Sequence, residues 1–388
     1  MNLIVVVDKN WAIGCENKLL YSVPIDMEFF RNSTLGKVVV MGGKTFQSLP
    51  FGALKGRTNI VLSRNKDIRG DNVVVCDTLA RLFSELEKHS DENIFIIGGE
   101  MLYRIMLFYC STAYVTKIGA EAKQADSFFP NLDNLDHWKK TKQSEEYLSN
   151  GYKLTFNTYT SDYMTKDLTW KLRQFLLKHD GFGFKEIPTD IFGIVSQEIV
   201  SVEKRDELGA HYTSEENILK LINPIFMDKL REEFEHIKSN QEALEKFYEK
   251  IGGLKFLDPA CGCGNILMVA YKELRLLELD VLKMLKTKGS IGQNSKIKPK
   301  VNLGQFYGIE IDSELCNLAK TVMLIIDQQI NLRMYDELGL FLPQITSANI
   351  IKANALQIDW ETLVPKNELS YILGNPPYSG YSNQSPPP

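Results

Sequence analysis

The sequence predicts an α/β protein built in two parts. Short, continuous apolar or β-branched runs alternate with helical stretches over about the first 160 residues. A long, charged helical region follows. After it a strand–glycine loop–helix pattern starts again at "LKFLDPACGCGN". A chain of 388 residues has room for two or three domains.

In the first part, "LIVVV", "VVVMGG", "TNIVLS", "NVVVC", "IFIIGG" and "TAYVTKI" read as strands. Their lack of polar alternation predicts burial on both faces of a mainly parallel sheet. "TLARLFSELEKH" reads as a helix capped by Asp77 or Thr78. "GGEMLYRIMLF" follows a strand directly, and "YKLTFNTYT" reads as a last strand. From about Ser161 the pattern turns helical, through "DLTWKLRQFLLKH" and "SEENILKLINPIFMDKLREEFEHIKSNQEALEKFYEKI". "LKFLD", "QFYGIEID", the run before "ANALQIDW" and "YILGNPP" then predict four further strands. Lys283 to Lys300 is polar and lysine-rich, and predicts a mobile surface loop with a solvated face.

Composition narrows the function classes. Net charge is −4 and apolar content 44%, ordinary for a globular chain. No run of about 18 apolar residues occurs, and the N-terminus lacks a basic leader. Six cysteines without a paired framework suit a reducing compartment. Cys261 and Cys263 are too closely spaced for a zinc site without a second pair, and are read as packing residues. The expectation is a cytoplasmic protein with no membrane partner and no metal.

Asp26 lies in "NKLLYSVPIDMEFFRNST", inside an otherwise apolar helix start. A carboxylate there needs a partner. It is either a helix-start carboxylate favoured by the dipole or a bidentate acceptor for an amidine-like edge. "VMGGKTFQSLP" puts Gly42, Gly43, Lys44 and Thr45 between a strand and a helix, an anion-binding pattern. "IIGGE" places Gly98 and Gly99 at a second such turn, open to close approach by a pyrophosphate. "LKGRTNIVLSRN" adds Arg57, Ser63 and Arg64.

Taken in order with "WAIG", "YVTKI" and "DSFFP", these stretches closely resemble dihydrofolate reductase over about residues 1–160. The resemblance implies NADPH as cofactor, dihydrofolate as substrate and a monomeric reductase domain. It implies that Asp26 holds the pterin, with Thr116 supporting it. Phe30 and Leu49 would line the pocket, and Arg57 would pair with the glutamate carboxylate. Ile13, Gly14 and Leu19 would belong to the loop closing over nicotinamide. Gly42, Gly43, Lys44, Thr45, Ser63, Arg64, Gly98, Gly99 and Tyr103 would face the cofactor. Two departures stand out. Tyr21 replaces the usual tryptophan, which would alter an ordered-water contact. Gly43 replaces an arginine common at the 2′-phosphate, leaving Lys44 and Arg64 to supply charge.

The second glycine loop, "FLDPACGCGN", is neither a Walker loop nor GxGxxG. Glu310 ends the next strand in "YGIEID", where an acid suits ribose hydroxyls. Asn354 and "GNPPY" follow. With "LGAHYTSEENILKLI" and "IPTDIFGIVSQ", the series resembles the S-adenosylmethionine-dependent, adenine-specific DNA methyltransferases of restriction-modification systems, over about residues 167–385. The resemblance implies that Asn375 and Pro376 accept the adenine amino group and Tyr378 stacks on the flipped base. Tyr212, Thr213, Asp258, Ala260, Gly262, Glu310 and Asn354 would hold the cofactor.

Together the resemblances imply a reductase-like, mainly parallel sheet with helices on both faces, a helical spacer, and a partial Rossmann-like methyltransferase sheet. The expected divisions are 1–160, a linker at 161–166, a spacer at 167–250 and the methyltransferase part at 251–388. That family's sheet has seven strands, so the sequence ends where a fifth is expected. The expectation is a dihydrofolate reductase whose second part does not methylate DNA alone. The alternative is a bifunctional protein, completed by a partner chain acting on DNA.

Overall fold

The computed structural model describes residues 1–65, 67–135, 137–161, 213–292, 297–339 and 345–376. The expected helix at "DLTWKLRQFLLKH", the linker beyond Ser161, Tyr212 and Tyr378 lie outside the described residues. The chain divides into two compact units, Met1–Asp180 and Gly181–Pro388.

The first unit runs β1 (Asn2–Val7), β2 (Ala12–Cys15), β3 (Lys18–Leu19), α1 (Pro24–Thr34), β4 (Val38–Gly42) and α2 (Gly43–Ser48). It continues through β5 (Thr58–Leu62), β6 (Val73–Cys76), α3 (Leu79–Leu86), β7 (Ile94–Gly98) and α4 (Glu100–Met106). It ends with β8 (Thr112–Ile118), β9 (Ser127–Phe128), β10 (Trp138–Gln143), β11 (Tyr147–Ser149) and β12 (Tyr152–Ser161). The main sheet has the order β10-β12-β8-β1-β7-β4-β5-β6, with β11 on β12. From β8 to β6 every pairing is parallel; β12 is antiparallel to its neighbours. Val39, Val40, Met41, Ile60, Val61 and Ile96 are wholly buried, as unbroken apolar strands between two helical layers require. Thr78 caps α3 by accepting from Arg81 N at 3.2 Å.

The β2–β3–β9 sheet and the β10–β11 strands carried no strand signal in the sequence. Apart from Trp138, β10 is exposed throughout, and its lysines mark a protected sheet edge.

The second unit contains α5 (Glu215–Ile222), a π-turn at Asn223–Met227, α6 (Asp228–Ile237), α7 (Gln241–Gly252) and β13 (Phe256–Asp258). Then follow α8 (Asn265–Thr287), β14 (Phe306–Glu310), α9 (Ser313–Leu338), β15 (Asn349–Lys352) and β16 (Tyr371–Ile372). The sheet order is β15-β14-β13-β16, parallel throughout. The chain steps outward from β13 to β14 and β15, then returns to the other side of β13. That reversal opens a crevice at the strands' carboxyl ends.

The predicted surface loop at Lys283 to Lys300 is corrected by the structure. Lys283 and Lys286 belong to the end of α8, and Lys286 Nζ donates to the Leu338 carbonyl at 2.6 Å. Ile297, Pro299 and Val301 are buried. Apolar residues at alternate positions tie the end of this stretch to the core, while the intervening lysines stay outside.

Charged α8 and α9 residues close a buried cluster. Arg275 donates to the Val301 carbonyl and to Asn331 Oδ1, both at 2.6 Å, and pairs with Glu278 at 3.2 Å. Glu278 accepts from the Lys300 and Val301 amides at 2.6 and 3.0 Å. Asp327 accepts from Tyr271 and, at 2.9 Å, from Asn331. Burial pushes both carboxyls up, against the pull of Arg275. Arg275→Met is therefore expected to destabilise the second unit by about 3–5 kcal/mol, because it strands two buried carboxylates. Urea unfolding followed through that unit's transition measures it; a loss below about 1 kcal/mol would show that the guanidinium is not the anchor.

Candidate active sites

In the first unit, Pro24 opens α1 and Asp26 lies in its first turn. Proline suits this position because its missing N–H would have no intrahelical partner. Asp26 faces Thr116 on β8, which is 1% exposed and hydrogen-bonds the carboxylate through its hydroxyl. Burial pushes the Asp26 carboxyl upward, and the Thr116 hydrogen bond pulls it partly back. Tyr103, buried on α4, donates to the Ile4 carbonyl at 2.7 Å. Its phenol is raised first by burial and then by the charge of Asp26, so the two groups lie within electrostatic reach. Farther along α1, Phe30 lies 5.8 Å from the Arg57 guanidinium. Leu49 is partly buried and packs on the cluster around Phe46 and Val61.

The two Gly-Gly turns come together. A Cβ on Gly98 would lie 3.3 Å from Thr45 Cγ2, and one on Gly99 would lie 3.1 Å from Thr45 Oγ1. Gly98 has φ +141, a conformation that other residues rarely adopt. A Cβ on Gly43 would lie 2.5 Å from Ser63 Oγ, so no larger residue fits there without displacing Ser63. Ser63 itself accepts from Asn65 N at 3.1 Å. Lys44 and Arg64 are exposed beside this floor.

The loop carrying Ile13, Gly14 and Leu19 is the small β2–β3 hairpin. Its partner, Asp126, was not singled out in the sequence. Glu16 N donates to Asp126 Oδ2 at 2.8 Å, and Asp126 N donates to the Gly14 carbonyl at 3.1 Å. Leu19 is 71% exposed at the hairpin's end. Tyr21, which stands where the family usually has tryptophan, has its phenol raised by burial and then by the charges of Asp8, Tyr152 and Glu121. Its hydroxyl is buried without a hydrogen-bond partner among the described residues.

In the second unit, Asp258 ends β13 at 1% exposure, and Oδ1 accepts from Ala260 N at 3.0 Å. Burial pushes this carboxyl up to about 7; the Ala260 amide lowers it and the charge of Glu310 raises it. Glu310, on the neighbouring strand, accepts from Gly262 N at 2.8 Å and from Asp312 N at 2.9 Å. Its two oxygens thus hold the glycine loop and the start of α9. Gly262 has φ +54, and a Cβ there would meet nothing within 4 Å, which leaves room for a ligand against the backbone. Gly264 has φ +83 and fits against Ala319.

Asn354 follows β15, and its Oδ1 accepts from Leu356 N at 3.0 Å. Asn375 and Pro376 are exposed beyond β16. A Cβ on Gly374 would lie 3.2 Å from Asp258 Oδ1, so the "GNPP" segment starts against the Asp258 carboxylate. Thr213 precedes α5, whose N-cap position is Ser214, without a side-chain capping bond. Cys261 is buried, with Sγ 2.9 Å from where a Gly308 Cβ would be. Sequence reasoning missed Ile311 and Leu356, which are 55% and 93% exposed just past β14 and β15. An apolar residue directly after the strand-ending acid was the available signal.

Both units thus have the architecture of α/β proteins whose ligand clefts open at the carboxyl ends of parallel strands. Over residues 1–161 the chain matches the dihydrofolate reductase family, to which it belongs. Residues 234–387 match the family described as MmeI, DNA-methyltransferase domain, so the C-terminal part carries a domain of that type. The chain is 36% identical to the dihydrofolate reductase of Staphylococcus haemolyticus over 140 residues, 36% of this chain and 81% of that protein. It is 30% identical to DNA methyltransferase A of Bacillus subtilis (strain 168) over 367 residues, 88% of this chain. It spans 41% of that relative's length. The type IIL restriction-modification enzyme MmeI, solved with DNA, is 42% identical over 56% of this chain and 29% of its own, with a TM-score of 0.49.

The buried Asp26 charge has a consequence for stability. Its folded-state value lies above the unfolded one, so the folded chain holds that proton more tightly. The group's contribution is full below about pH 4 and is lost as pH rises through the folded value. Asp26→Asn escapes that loss. It is expected to raise the first unit's melting temperature above wild type at pH 8, with the gap closing toward pH 5. Calorimetry at both pH values checks this; a lower melting temperature for the variant at pH 8 would contradict it.

Proposed function

We propose that this chain reduces 7,8-dihydrofolate to tetrahydrofolate with NADPH, and that its second unit binds S-adenosylmethionine for methylation of an adenine amino group in DNA. The observation that carries the first activity is Asp26, a partly buried carboxylate with Thr116 behind it and an apolar helix face around it. Such a group accepts two parallel N–H bonds from the amino-pyrimidine edge of a pterin. Its charge favours protonation at the adjacent imine nitrogen as hydride reaches the neighbouring carbon. When bound, NADPH supplies that hydride. The β2–β3 hairpin, pinned by Asp126, excludes water over the reacting edge. The Thr45 floor with Gly98 and Gly99 fits a pyrophosphate that approaches backbone closely. Lys44 and Arg64 supply positive charge for a 2′-phosphate, with Gly43 kept small by Ser63.

For the second unit, Glu310 and the open space over Gly262 fit a nucleoside whose ribose hydroxyls reach the carboxylate. Ile311 and Leu356 offer apolar surface to its base. Asn375 and the Pro376 carbonyl, exposed beside Asp258, suit an adenine amino group as donor. Dihydrofolate and DNA are the substrates on this reading. A cytoplasmic location agrees with six cysteines, all free thiols.

The test of the first activity is steady-state oxidation of NADPH with dihydrofolate by the purified chain. Wild type is expected to turn over, and Asp26→Asn to retain its fold but lose most hydride transfer at neutral pH. A variant within a few-fold of wild type would sink the role of Asp26.

A further inference from the structure

The chain leaves β1 through a turn that a large side chain rarely tolerates. Trp11 has φ +61, in the left-handed region, where a Cβ crowds the following carbonyl. A residue stays there when its surroundings over-determine it. Asp8, 2% exposed, accepts from Asn10 N at 2.8 Å and Ala12 N at 2.9 Å through Oδ1, and from Ala122 N at 2.9 Å through Oδ2. Trp11 N donates to the Asp8 carbonyl at 3.1 Å, and the Trp11 carbonyl accepts from Phe129 N at 2.8 Å.

The indole ring is held as closely as the backbone. Lys117 Nζ lies 4.4 Å from its centre, an attractive placement for a cation. Phe129 stacks on the indole at 6.1 Å, with 15° between the planes. Phe129 in turn meets Tyr103 edge to face at 4.8 Å. Tyr103 is 3% exposed, bonds the Ile4 carbonyl and lies within electrostatic reach of Asp26. Contacts therefore run unbroken from the turn to the Asp26 side of the site. Asparagine or glycine would seat such a turn at less cost. The indole is what those residues could not supply, and it is the ring that backs Phe129.

We infer that Trp11 is a positioning residue for hydride transfer: its ring, seated by Asp8 and Lys117, backs Phe129 and so fixes Tyr103 beside the reacting edge. This rests on the proposed reading of the first unit as a reductase. A displacement of about 1 Å at reacting groups costs on the order of a hundredfold in rate, so loss of backing two contacts away is expected to cost about tenfold.

The experiment follows single-turnover hydride transfer after the NADPH-bound full chain is mixed with dihydrofolate. The rate constant reports geometry, while the amplitude reports how much of the chain is folded and competent. Trp11→Asn keeps a left-handed turn and removes the ring. It is expected to lower the rate constant about tenfold and leave the KM for dihydrofolate within about threefold. Trp11→Phe keeps a ring against Phe129 and is expected to return the rate constant toward wild type. Phe129→Leu breaks the path without altering the turn, and is expected to lower the rate constant in the same way even if Trp11→Asn does not fold. A reduced amplitude with an unchanged rate constant, in Trp11→Asn or in Phe129→Leu, shows a packing role and overturns the inference while leaving the reductase reading intact. A Trp11→Phe rate constant as low as that of Trp11→Asn also overturns it. Absence of dihydrofolate reduction by wild type overturns the reductase reading, and the inference with it.

Discussion

A carboxylate removed from water destabilises a fold unless something compensates it, and each unit is arranged around that constraint. In the first, Asp26 is compensated, among the described residues, by the Thr116 hydroxyl, so its charge remains available to an incoming donor. In the second, Glu310 is compensated by two backbone amides from two different segments. Those bonds set where the glycine loop and α9 begin. Asp258, next to it, has the Ala260 amide and the Gly374 backbone close by. The same constraint therefore leaves one carboxylate poised and turns the other into a brace.

Glycines and strand order convert these charges into sites. Gly98 and Gly99 let the turn after β7 meet Thr45 of α2. Gly262 and Gly264 occupy left-handed conformations that let the loop after β13 fold back under Glu310. Away from the cleft, Arg275 with Glu278 and Asp327 ties α8 and α9 to the segment entering β14. The strand that ends in Glu310 and the two helices that start at the carboxyl edge of the sheet thus share one buried ionic anchor.

What was legible in the sequence was local. Unbroken apolar runs marked parallel strands, and glycines after them marked turns. Asp26 stood out because it interrupts an apolar helix start. Glu310 stood out because it ends a strand. What was not legible depends on contacts across long separations. Asp126 bonds residues of the β2–β3 hairpin more than a hundred positions earlier, and nothing in "DSFFP" signals that. Arg275 reads as one more charge on a polar helix, yet it is 1% exposed because α9 and the Val301 segment close over it. Ile311 and Leu356 carry no signal of their exposure, which follows from the strands ending before them. The Lys283–Lys300 stretch failed for the same reason in reverse: its composition is that of a surface, while Ile297 and Pro299 are held inside.

The central claim is that one chain carries two separate nucleotide-cofactor sites, one built over Thr45, Gly98 and Gly99 and the other on Glu310 and Gly262. Calorimetric titration of the purified chain with NADPH and with S-adenosylmethionine, singly and in sequence, tests it directly. The account predicts one molecule of each per chain, neither displacing the other. It also predicts that Glu310→Ala abolishes binding of S-adenosylmethionine and leaves that of NADPH intact. Competition between the two ligands, or loss of both with Glu310→Ala in a chain that remains folded, would contradict it.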